Sequence, residues 1–419
     1  MFNTVYSDRE GRVRIADDLT FMGRSGSAWL RPDREELMPL PQGSSLVMMP
    51  GYYPVGMSND NYPLCLEDSR EGYTPVAMAA LLPQGFTRTF LPAAVAPKSA
   101  KEIPILGYTA VAGHEGDIYA AAVQTDEDRK WNPRYYNTEE LEGRIKKKQE
   151  SLPGNRILQQ LTRCSCDYSC FTAQNIFYER WEGGIPTTPS CNAQCVGCIS
   201  RGYTRVKSPQ ERLDFVPEVS EIVGVGLVHL QNASEAIISF GQGCEGEPAL
   251  SAERIAPAVK LMRGETDQGS INLNTNAGYT AGIQKITDAG LDSMRVTMLS
   301  ARAEDYTAYH RPQSYMLKNV EQSIAYAVEN GVYVSLNLLT MPGFTDTEEQ
   351  IEATVDLVER TGVKMIQLRN LNLDPNLFFD NLTPRSDAVG ILTMIEYLRQ
   401  SGITVASYSH PASRGKGLI

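Results

Sequence analysis

The regular alternation of short apolar segments with amphipathic ones constrains the fold of this 419-residue chain more than any other feature. Strand-like segments recur from about residue 184 onward: GGIPTTPS, EAIISF, SINLNTN, SMRVTML, VYVSLNLLT, VKMIQLRNL and ITVASY. Amphipathic helix candidates lie between them, for example at 251–263, 279–289, 315–330, 346–361 and 385–400. Because the strands are apolar almost throughout, they suit parallel strands that are covered on both faces. About six strand–helix repeats therefore predict an α/β fold with a partial (βα)6, TIM-like barrel.

The region before the barrel has a different composition. Residues 1–135 are rich in Pro, Gly and Tyr and contain short apolar runs, which predicts strands and turns rather than long helices. We expect this region to form a β-rich domain that covers the barrel mouth. Residues 136–183 predict a helical, cysteine-rich bridge whose first helix is capped by Asn137 or Thr138. Residues 184–419 then predict the barrel.

The overall charge and hydropathy exclude two classes of partner. The net charge is −11, so a chain-wide basic surface for nucleic acid is absent. No run of apolar residues approaches the roughly 18 that a membrane-spanning helix needs. The first residues, MFNTVYSDREGRVRIADD, lack the apolar core of a signal peptide. We therefore expect a cytoplasmic protein with no nucleic-acid and no membrane partner.

Three cysteines follow the first barrel strand at close spacing. Cys191, Cys195 and Cys198 form a C-x3-C-x2-C pattern in the first βα loop, at the rim where barrel active sites lie. In a reducing compartment, clustered cysteines indicate a metal site rather than disulfides. A structural zinc site uses four ligands, whereas three thiolates on a [4Fe–4S] cluster leave one iron open to a substrate or cofactor. The pattern therefore favours an open iron–sulfur cluster.

This motif, in this loop of such a barrel, resembles that of the radical S-adenosylmethionine (SAM) superfamily, and the resemblance covers about residues 184–407. It implies a [4Fe–4S] cluster whose open iron is chelated by SAM. It further implies that one electron cleaves SAM to methionine and a 5′-deoxyadenosyl radical, which takes a hydrogen atom from an unactivated C–H. Such chemistry implies a low-potential electron donor such as ferredoxin or flavodoxin.

The second strand runs into a segment that resembles the family's G-G-E-P-like motif. In GQGCEGEP the matching residues are Glu245, Gly246, Glu247 and Pro248. The resemblance assigns Glu247, with Gly246 beside it, to the amino group of the methionine part of SAM. A carboxylate there can accept charge-assisted hydrogen bonds from an ammonium. The first family glycine is Glu245 in this chain, and the preceding Cys244 is unusual.

Polar residues at the ends of later strands complete the SAM site that the resemblance implies. Asn274 and Asn276 follow the third strand, Ser300 and Arg302 follow the fourth, and Asn337 lies in the fifth. We expect Asn276, Ser300, Arg302 and Asn337 to contact SAM. Ordinary capping of strand ends is an alternative for Asn276, Ser300 and Asn337.

The remaining cysteines suggest a second metal site. Cys164, Cys166 and Cys170 precede the triad in CSCDYSC, and Cys244 emerges on the same rim. Four thiols could bind an auxiliary iron–sulfur cluster or a single iron or zinc, and the sequence does not choose between these. Alternatively, one or two of them are free buried thiols. Cys65 is isolated and is interpreted as an ordinary structural cysteine.

Two stretches narrow the reaction. CFTAQNIFYERWEGGIP and SFGQGCEGEP resemble a subgroup of the superfamily found in anaerobes, near the methanogen C-methyltransferases that act on glutamine or arginine of methyl-coenzyme M reductase. The resemblance implies C-methylation of a protein or peptide residue, with glutamine of methyl-coenzyme M reductase as the candidate and cobalamin as an added cofactor. The D-x-H-x-x-G cobalamin motif is absent.

Two other classes of function stay open. One is a cobalamin-independent radical SAM oxidoreductase or cyclase that acts on a small molecule or a peptide. The other is an electron carrier or redox sensor, which the open three-cysteine motif argues against because electron carriers usually ligate every iron. The four histidines form no cluster by spacing, so the sequence assigns no catalytic acid or base.

Overall fold

The computed structural model describes residues 1–67, 74–127, 129–202 and 208–418. Strands dominate the first third, helices follow, and a parallel sheet forms the rest. No helix among these residues has the length and apolar character needed to cross a bilayer.

The first region is built from short antiparallel strands. They are β1 (Asn3–Ser7), β2 (Val13–Phe21), β3 (Gly23–Ser25), β4 (Ala28–Leu30), β5 (Met38–Pro39), β6 (Ser45–Met49), β7 (Tyr53–Met57), β8 (Pro63–Cys65), β9 (Val76–Leu81), β10 (Phe86–Arg88), β11 (Leu91–Pro92), β12 (Ala94–Val95), β13 (Tyr108–Thr109), β14 (Val111–His114), β15 (Asp117–Ala120) and β16 (Ala122–Gln124). The main sheet runs β12-β7-β2-β1-β14-β15-β5, with β9 pairing β1, β6 and β13. The β-rich N-terminal region is therefore confirmed, whereas the domain limits at 135 and 183 stay predictions.

Three helices connect this region to the parallel sheet. They are α1 (Leu141–Ser151), α2 (Arg156–Asp167) and α3 (Phe171–Tyr178). The first helix begins after Glu140 and not at Asn137 or Thr138, because Asn137 has a left-handed backbone (φ 54°) that a helix cannot include. Asn155 caps α2, since its side chain accepts a hydrogen bond from the backbone of Leu158 at 3.1 Å.

The parallel sheet follows chain order without exception. Its strands are β17 (Arg180–Gly184), β18 (Ser234–Phe240), β19 (Ser270–Thr275), β20 (Ser293–Met298), β21 (Tyr333–Thr340), β22 (Met365–Asn370) and β23 (Thr404–Ala406). The helices are α4 (Val219–Asn232), α5 (Ala252–Glu265), α6 (Thr280–Asp288), α7 (Ala303–His310), α8 (Leu317–Glu329), α9 (Glu348–Thr361), α10 (Pro375–Asn381) and α11 (Ile391–Gln400). A last hairpin pairs β24 (Ala412–Ser413) with β25 (Gly417–Leu418). Within the described ranges β17 and β23 do not pair, so the predicted partial barrel is confirmed.

The first barrel strand lies earlier than the sequence predicts. Glu179 adopts a left-handed conformation (φ 54°) that ends α3 and directs the chain straight into β17. The backbone of Ile185 still donates to Ser239 O at 2.9 Å, but the regular ladder ends there. Pro186 and Pro189 have no N–H to continue it, so most of GGIPTTPS is loop.

The apolar core lies between the parallel strands and the surrounding helices. Ile238, Ile271 and Ile366 on the strands are fully buried, as are Ile255 and Ile324 on the helices. Each such burial contributes about 1.5–3 kcal/mol. The core therefore fixes the sheet and, with it, the strand ends that carry the site.

Arg88 joins the β-rich region to the rim of the barrel. Its guanidinium is fully buried and donates to the carbonyl oxygens of Tyr108 (3.1 Å), Thr340 (3.0 Å) and Leu371 (3.0 Å). Thr340 ends β21 and Leu371 follows β22. One side chain of β10 thus contacts the carboxyl ends of two barrel strands.

Candidate active site

A cavity of about 360 Å³ lies at the carboxyl ends of the barrel strands. Its walls come from the loop after β17 and from the ends of β18, β19, β20, β21 and β22. This is the rim at which enzymes with parallel βα barrels place their active sites.

The three cysteines of the first βα loop share this cavity. Cys191, Cys195 and Cys198 are half-buried and all line it. Burial, followed by the charge of Glu247, raises the pKa of Cys191 to about 11. Burial, followed by the charges of Cys198 and Cys191, raises the pKa of Cys195 well above its usual range. Thiolates at Cys191 and Cys195 are therefore unfavourable here unless cations accompany them.

The donor set fits an iron–sulfur cluster. As the side chains lie, no three His, Cys, Asp or Glu residues of the described ranges converge where a single ion could bind. Each cysteine of a [4Fe–4S] site binds a different iron, so such a cluster needs thiols on a common wall rather than around one point. Three soft thiol donors on the cavity wall match that requirement.

His310 contacts the central cysteine in a defined tautomer. The backbone N–H of Leu299 donates to Nε2 at 3.1 Å, so the ring proton lies on Nδ1, which faces Cys195 Sγ at 3.3 Å. Burial lowers the pKa of His310 to about 3, and the Tyr306 ring stacks on it at 4.5 Å. A neutral imidazole therefore donates a hydrogen bond to a candidate cluster ligand, a role that the sequence did not assign.

The backbone after α7 also holds the cysteine loop. Val196 N donates to Tyr309 O at 3.0 Å, and Gln313 N donates to Asn192 O at 2.7 Å. An isolated antiparallel bridge pairs Ala193 with Pro312. Segments more than 100 residues apart in sequence thus form one unit, which local patterns could not reveal.

Glu247 lies where the sequence resemblance predicts a SAM contact. Its carboxylate accepts hydrogen bonds from Ala249 N (3.0 Å), Asn276 N (2.7 Å) and Thr275 Oγ1. Burial raises its pKa. The side chain lines the cavity, and a carboxylate has about four acceptor positions, so capacity for one more donor remains.

Gly246 allows the motif to lie against the chain that leads to the triad. Gly246 N donates to Thr188 O (2.7 Å) and Glu247 N to Ser190 O (2.8 Å). A Cβ at Gly246 would lie 1.9 Å from Ser190 O, so no larger residue fits. The motif and the cysteine loop are therefore packed backbone to backbone.

Glu245, where the family has a glycine, acts within the protein. Its buried carboxylate accepts hydrogen bonds from the backbone and hydroxyl of Thr187 (2.7 and 2.8 Å) and from the backbones of Gly241 (2.5 Å) and Gln242 (3.2 Å). Burial raises its pKa to about 7. These four donors fill the roughly four acceptor positions of the Glu245 carboxylate. Because they come from the loops after β17 and β18, Glu245 joins these two loops.

Two amide side chains offer unsatisfied polar atoms to the cavity. Asn274 Nδ2 and Asn337 Oδ1 are buried and have no hydrogen-bond partner among the described residues, and both residues line the cavity. Asn276 also lines it, but its Nδ2 donates to Asn192 Oδ1 at 2.7 Å. Buried polar atoms in proteins are normally paired, so the missing partners of these two atoms set them apart from the other amides of the cavity wall.

Ser300 and Arg302 do not line the cavity. Ser300 Oγ donates to Gln350 Oε1 at 2.6 Å and accepts from Arg302 N at 3.0 Å. Arg302 pairs with Asp305 (3.3 Å) and Glu349 (3.4 Å). Both residues lie at the start of α7 and join it to α9, and their contact with SAM stays a prediction.

The structure brings together three of the four cysteines of the predicted second metal site. The thiols of Cys164 and Cys244 are hydrogen-bonded, which lowers the pKa of Cys164 and raises that of Cys244. Cys170 lies close enough for its charge to act on Cys244. Cys166 is exposed, because two residues along α2 rotate a side chain about 200° away from Cys164. A site with all four thiolates would require rearrangement of α2.

Comparison with known proteins identifies the barrel segment. Residues 185–358 match the family described as the Radical SAM superfamily. A GTP 3′,8-cyclase of Nautilia profundicola (strain ATCC BAA-1463 / DSM 18972 / AmH) is 26% identical over 193 residues, which cover 46% of this chain and 56% of that protein. The chain thus spans little more than half the length of this relative.

Two solved structures show weaker likeness. Streptococcus suis SuiB bound to precursor peptide SuiA has 11% identity and a TM-score of 0.39, covering 58% of this chain and 54% of that chain. A radical SAM methyltransferase from Sphaerobacter thermophilus has 15% identity and a TM-score of 0.40, covering 55% and 66%. At these scores neither likeness bears on substrate or reaction.

The family match begins one residue after β17, ends inside α9, and contains both the cysteine triad and the E-G-E-P segment. The family match, the parallel half-barrel and the cavity that the three cysteines share with Glu247 all agree. Residues 185–358 of this chain form a radical SAM domain.

Proposed function

We propose that this radical SAM enzyme reductively cleaves SAM and uses the resulting radical to functionalise an unactivated C–H. One observation carries the proposal: three thiols of the first βα loop share a cavity with the carboxylate of Glu247 and with unsatisfied amide atoms. When bound there, a [4Fe–4S] cluster and SAM would supply one-electron cleavage to methionine and a 5′-deoxyadenosyl radical.

The residues of the chain have separable roles in this proposal. Cys191, Cys195 and Cys198 hold the cluster, and His310 donates a hydrogen bond to one of these ligands. Glu247 accepts a hydrogen bond from the SAM ammonium. Asn337 and Asn274 offer polar contacts to the bound molecule. A reactive radical must be protected from water. The β-rich region contacts the barrel rim through Arg88 and can help to exclude water from the cavity.

The finer proposal is C-methylation of a protein or peptide residue, with a glutamine of methyl-coenzyme M reductase as candidate. It rests on the resemblance of CFTAQNIFYERWEGGIP and SFGQGCEGEP to the methanogen methyltransferases. Cobalamin does not fit readily beside SAM, because a cavity of about 360 Å³ suits a drug-sized ligand and a corrin is far larger. No role of the residues above depends on cobalamin.

That cavity volume favours a second candidate, a cobalamin-independent oxidoreductase or cyclase. Its substrate would be a small molecule or one side chain of a peptide. The 26% identity with a GTP 3′,8-cyclase agrees with this class without naming a substrate, since only 46% of this chain is aligned.

The test of radical SAM chemistry compares anaerobically reconstituted protein with the Cys191/Cys195/Cys198→Ala variant. We expect the variant to lose about four irons, the content of one cubane cluster. With dithionite and SAM, only the unmodified protein should form 5′-deoxyadenosine. Cys65→Ala, a half-buried cysteine outside the site, is the matched control and should keep both properties. Zinc in the triad, or 5′-deoxyadenosine from the triple variant, would refute the proposal.

The finer candidates are separated by two further measurements on the same protein. Cobalt bound after reconstitution with cobalamin, and a methylated glutamine peptide detected by mass spectrometry, would support methyl transfer. Turnover of SAM without cobalt and without methylated peptide would contradict methyl transfer and leave the oxidoreductase or cyclase.

A further inference from the structure

Two half-buried arginines lie at the cavity, one on each of the strands that flank β21. Arg295 of β20 and Arg369 of β22 both line it. Arg295 donates through Nη1 to Gln367 Oε1 at 3.1 Å. Its Nε is buried and has no partner among the described residues. A charged donor left without an acceptor is costly, so an anion that accepts from the Arg295 guanidinium would be stabilised here.

One carboxylate faces these two guanidinium groups. Glu182 of β17 is 3% exposed and accepts from Arg295 Nη2 at 3.5 Å. The same carboxylate also accepts hydrogen bonds from Ser239 Oγ (2.7 Å) and Gln242 Nε2 (3.2 Å), so Arg295 is not its only donor. Burial lowers the pKa of Arg369 to about 10; the charge of Arg295 also lowers it, and the charge of Glu182 raises it. This part of the cavity therefore has an excess of positive charge.

The loops after β17 and β18 bring the reverse balance of charge to the cavity. Glu245 and Glu247 line it with one arginine, Arg212, which donates to Pro189 O at 2.9 Å and lies 3.8 Å from Cys198 Sγ. The carboxylate of Glu247 suits the sulfonium and ammonium of SAM. The guanidinium groups on β20 and β22 suit a molecule of the opposite charge.

Arg369 also borders a second cavity. This one has a volume of about 280 Å³ and lies between residues 81–86 and 106–107 of the β-rich region and the end of β22. Arg369 Nη1 donates to Gln84 Oε1 (2.8 Å) and to Ser407 O (2.9 Å). The two cavities share Arg369, Asn370 and Asn372. A molecule seated in the second cavity can therefore contact Arg369 directly and extend from there into the first cavity, which Arg295 lines.

We propose that the substrate carries a carboxylate or phosphate group that binds between Arg295 and Arg369, with the rest of the substrate in the cavity beneath the β-rich region. The inference rests on the proposed radical SAM function and names its substrate class. Guanidinium groups suit such anions because their N–H donors match two oxygens at once.

The experiment measures anion binding without turnover. Reconstituted protein with SAM is titrated calorimetrically with succinate in one arm and inorganic phosphate in the other, at low ionic strength. We expect at least one anion to bind with 1:1 stoichiometry. Arg295→Gln and Arg369→Gln should each weaken this binding at least tenfold. Arg399→Gln, on the exposed face of α11, is the matched control and should change nothing.

Three results would overturn the inference. The first is that neither anion binds the unmodified protein, and the second is that both glutamine variants bind the anion as the unmodified protein does. The third is that the glutamine variants lose affinity for SAM but keep affinity for the anion, which would assign the arginines to the SAM carboxylate. Iron content verifies folding, and Arg295→Lys and Arg369→Lys should keep part of the anion affinity. Because no reductant is added, the outcome is independent of the 5′-deoxyadenosine assay that tests the proposed function.

Discussion

At the scale of single residues, His310 shows how two partners determine a role. Its Nε2 accepts from Leu299 N, so its Nδ1 must donate, and the acceptor is Cys195 Sγ. A hydrogen bond to a ligand sulfur stabilises the more negative, reduced form of a cluster. His310→Leu should therefore lower the reduction potential by about 40 mV, which corresponds to ~1 kcal/mol for one electron. A redox titration followed by electron paramagnetic resonance measures it.

Tyr306→Phe is the control for this prediction. It removes a hydroxyl that donates to Tyr315 at 3.2 Å and keeps the ring that stacks on His310. Its cluster potential should match that of the unmodified protein. An unchanged potential in His310→Leu with a full iron content would show that the imidazole only fills space.

At the scale of elements, the features that could be predicted from the sequence are those that a contiguous stretch of residues encodes. The strand–helix alternation, the triad and the E-G-E-P segment are contiguous, and the structure places them as a barrel and one cavity wall. The contact of Ser300 with SAM stays a prediction, because a polar residue after a strand can equally begin the next helix, as Ser300 does by accepting from Arg302 N. The pairing of 192–196 with 309–313 depends on tertiary contacts, which leave no local signal.

The contact between two of these elements gives a second prediction. Gly246→Ala would place a Cβ 1.9 Å from Ser190 O and force the loop after β18 away from the cysteine loop. We expect SAM affinity to fall at least tenfold, because Glu247 would move with the loop. Calorimetric titration of the reconstituted protein with SAM measures this.

Gly143→Ala in α1 serves as the comparison, since a Cβ there meets nothing within 4 Å. It should keep SAM affinity and gain roughly 0.5–1 kcal/mol of stability, as Gly to Ala changes in helices do. Equal SAM affinity in both variants would mean that the backbone contact at Gly246 has no bearing on the site.

At the scale of the whole molecule, the two main regions meet through buried polar contacts as well as apolar ones. Arg88 supplies three donors to carbonyl oxygens, two of them on the barrel rim. Arg88 N also donates to Asn370 Oδ1 at 2.9 Å, and Asn370 Nδ2 donates to Phe86 O at 2.9 Å. The strand β10 is thus joined to the end of β22, beside both cavities. Whatever loosens this contact should expose the site to water.

Arg88→Met is the third prediction, and it follows from this contact. The substitution leaves the oxygens of Tyr108, Thr340 and Leu371 without their buried donor, at about 1–3 kcal/mol each before any rearrangement. We expect a loss of about 3 kcal/mol in the free energy of unfolding, and faster hydrogen exchange in residues 81–86 and 106–107 than in β18 and β19. Mass-spectrometric exchange on the intact protein resolves these segments. Arg399→Gln should leave both unchanged, because that side chain is exposed. If exchange rises equally across the chain, Arg88 stabilises the fold in general and does not specifically hold the β-rich region against the barrel.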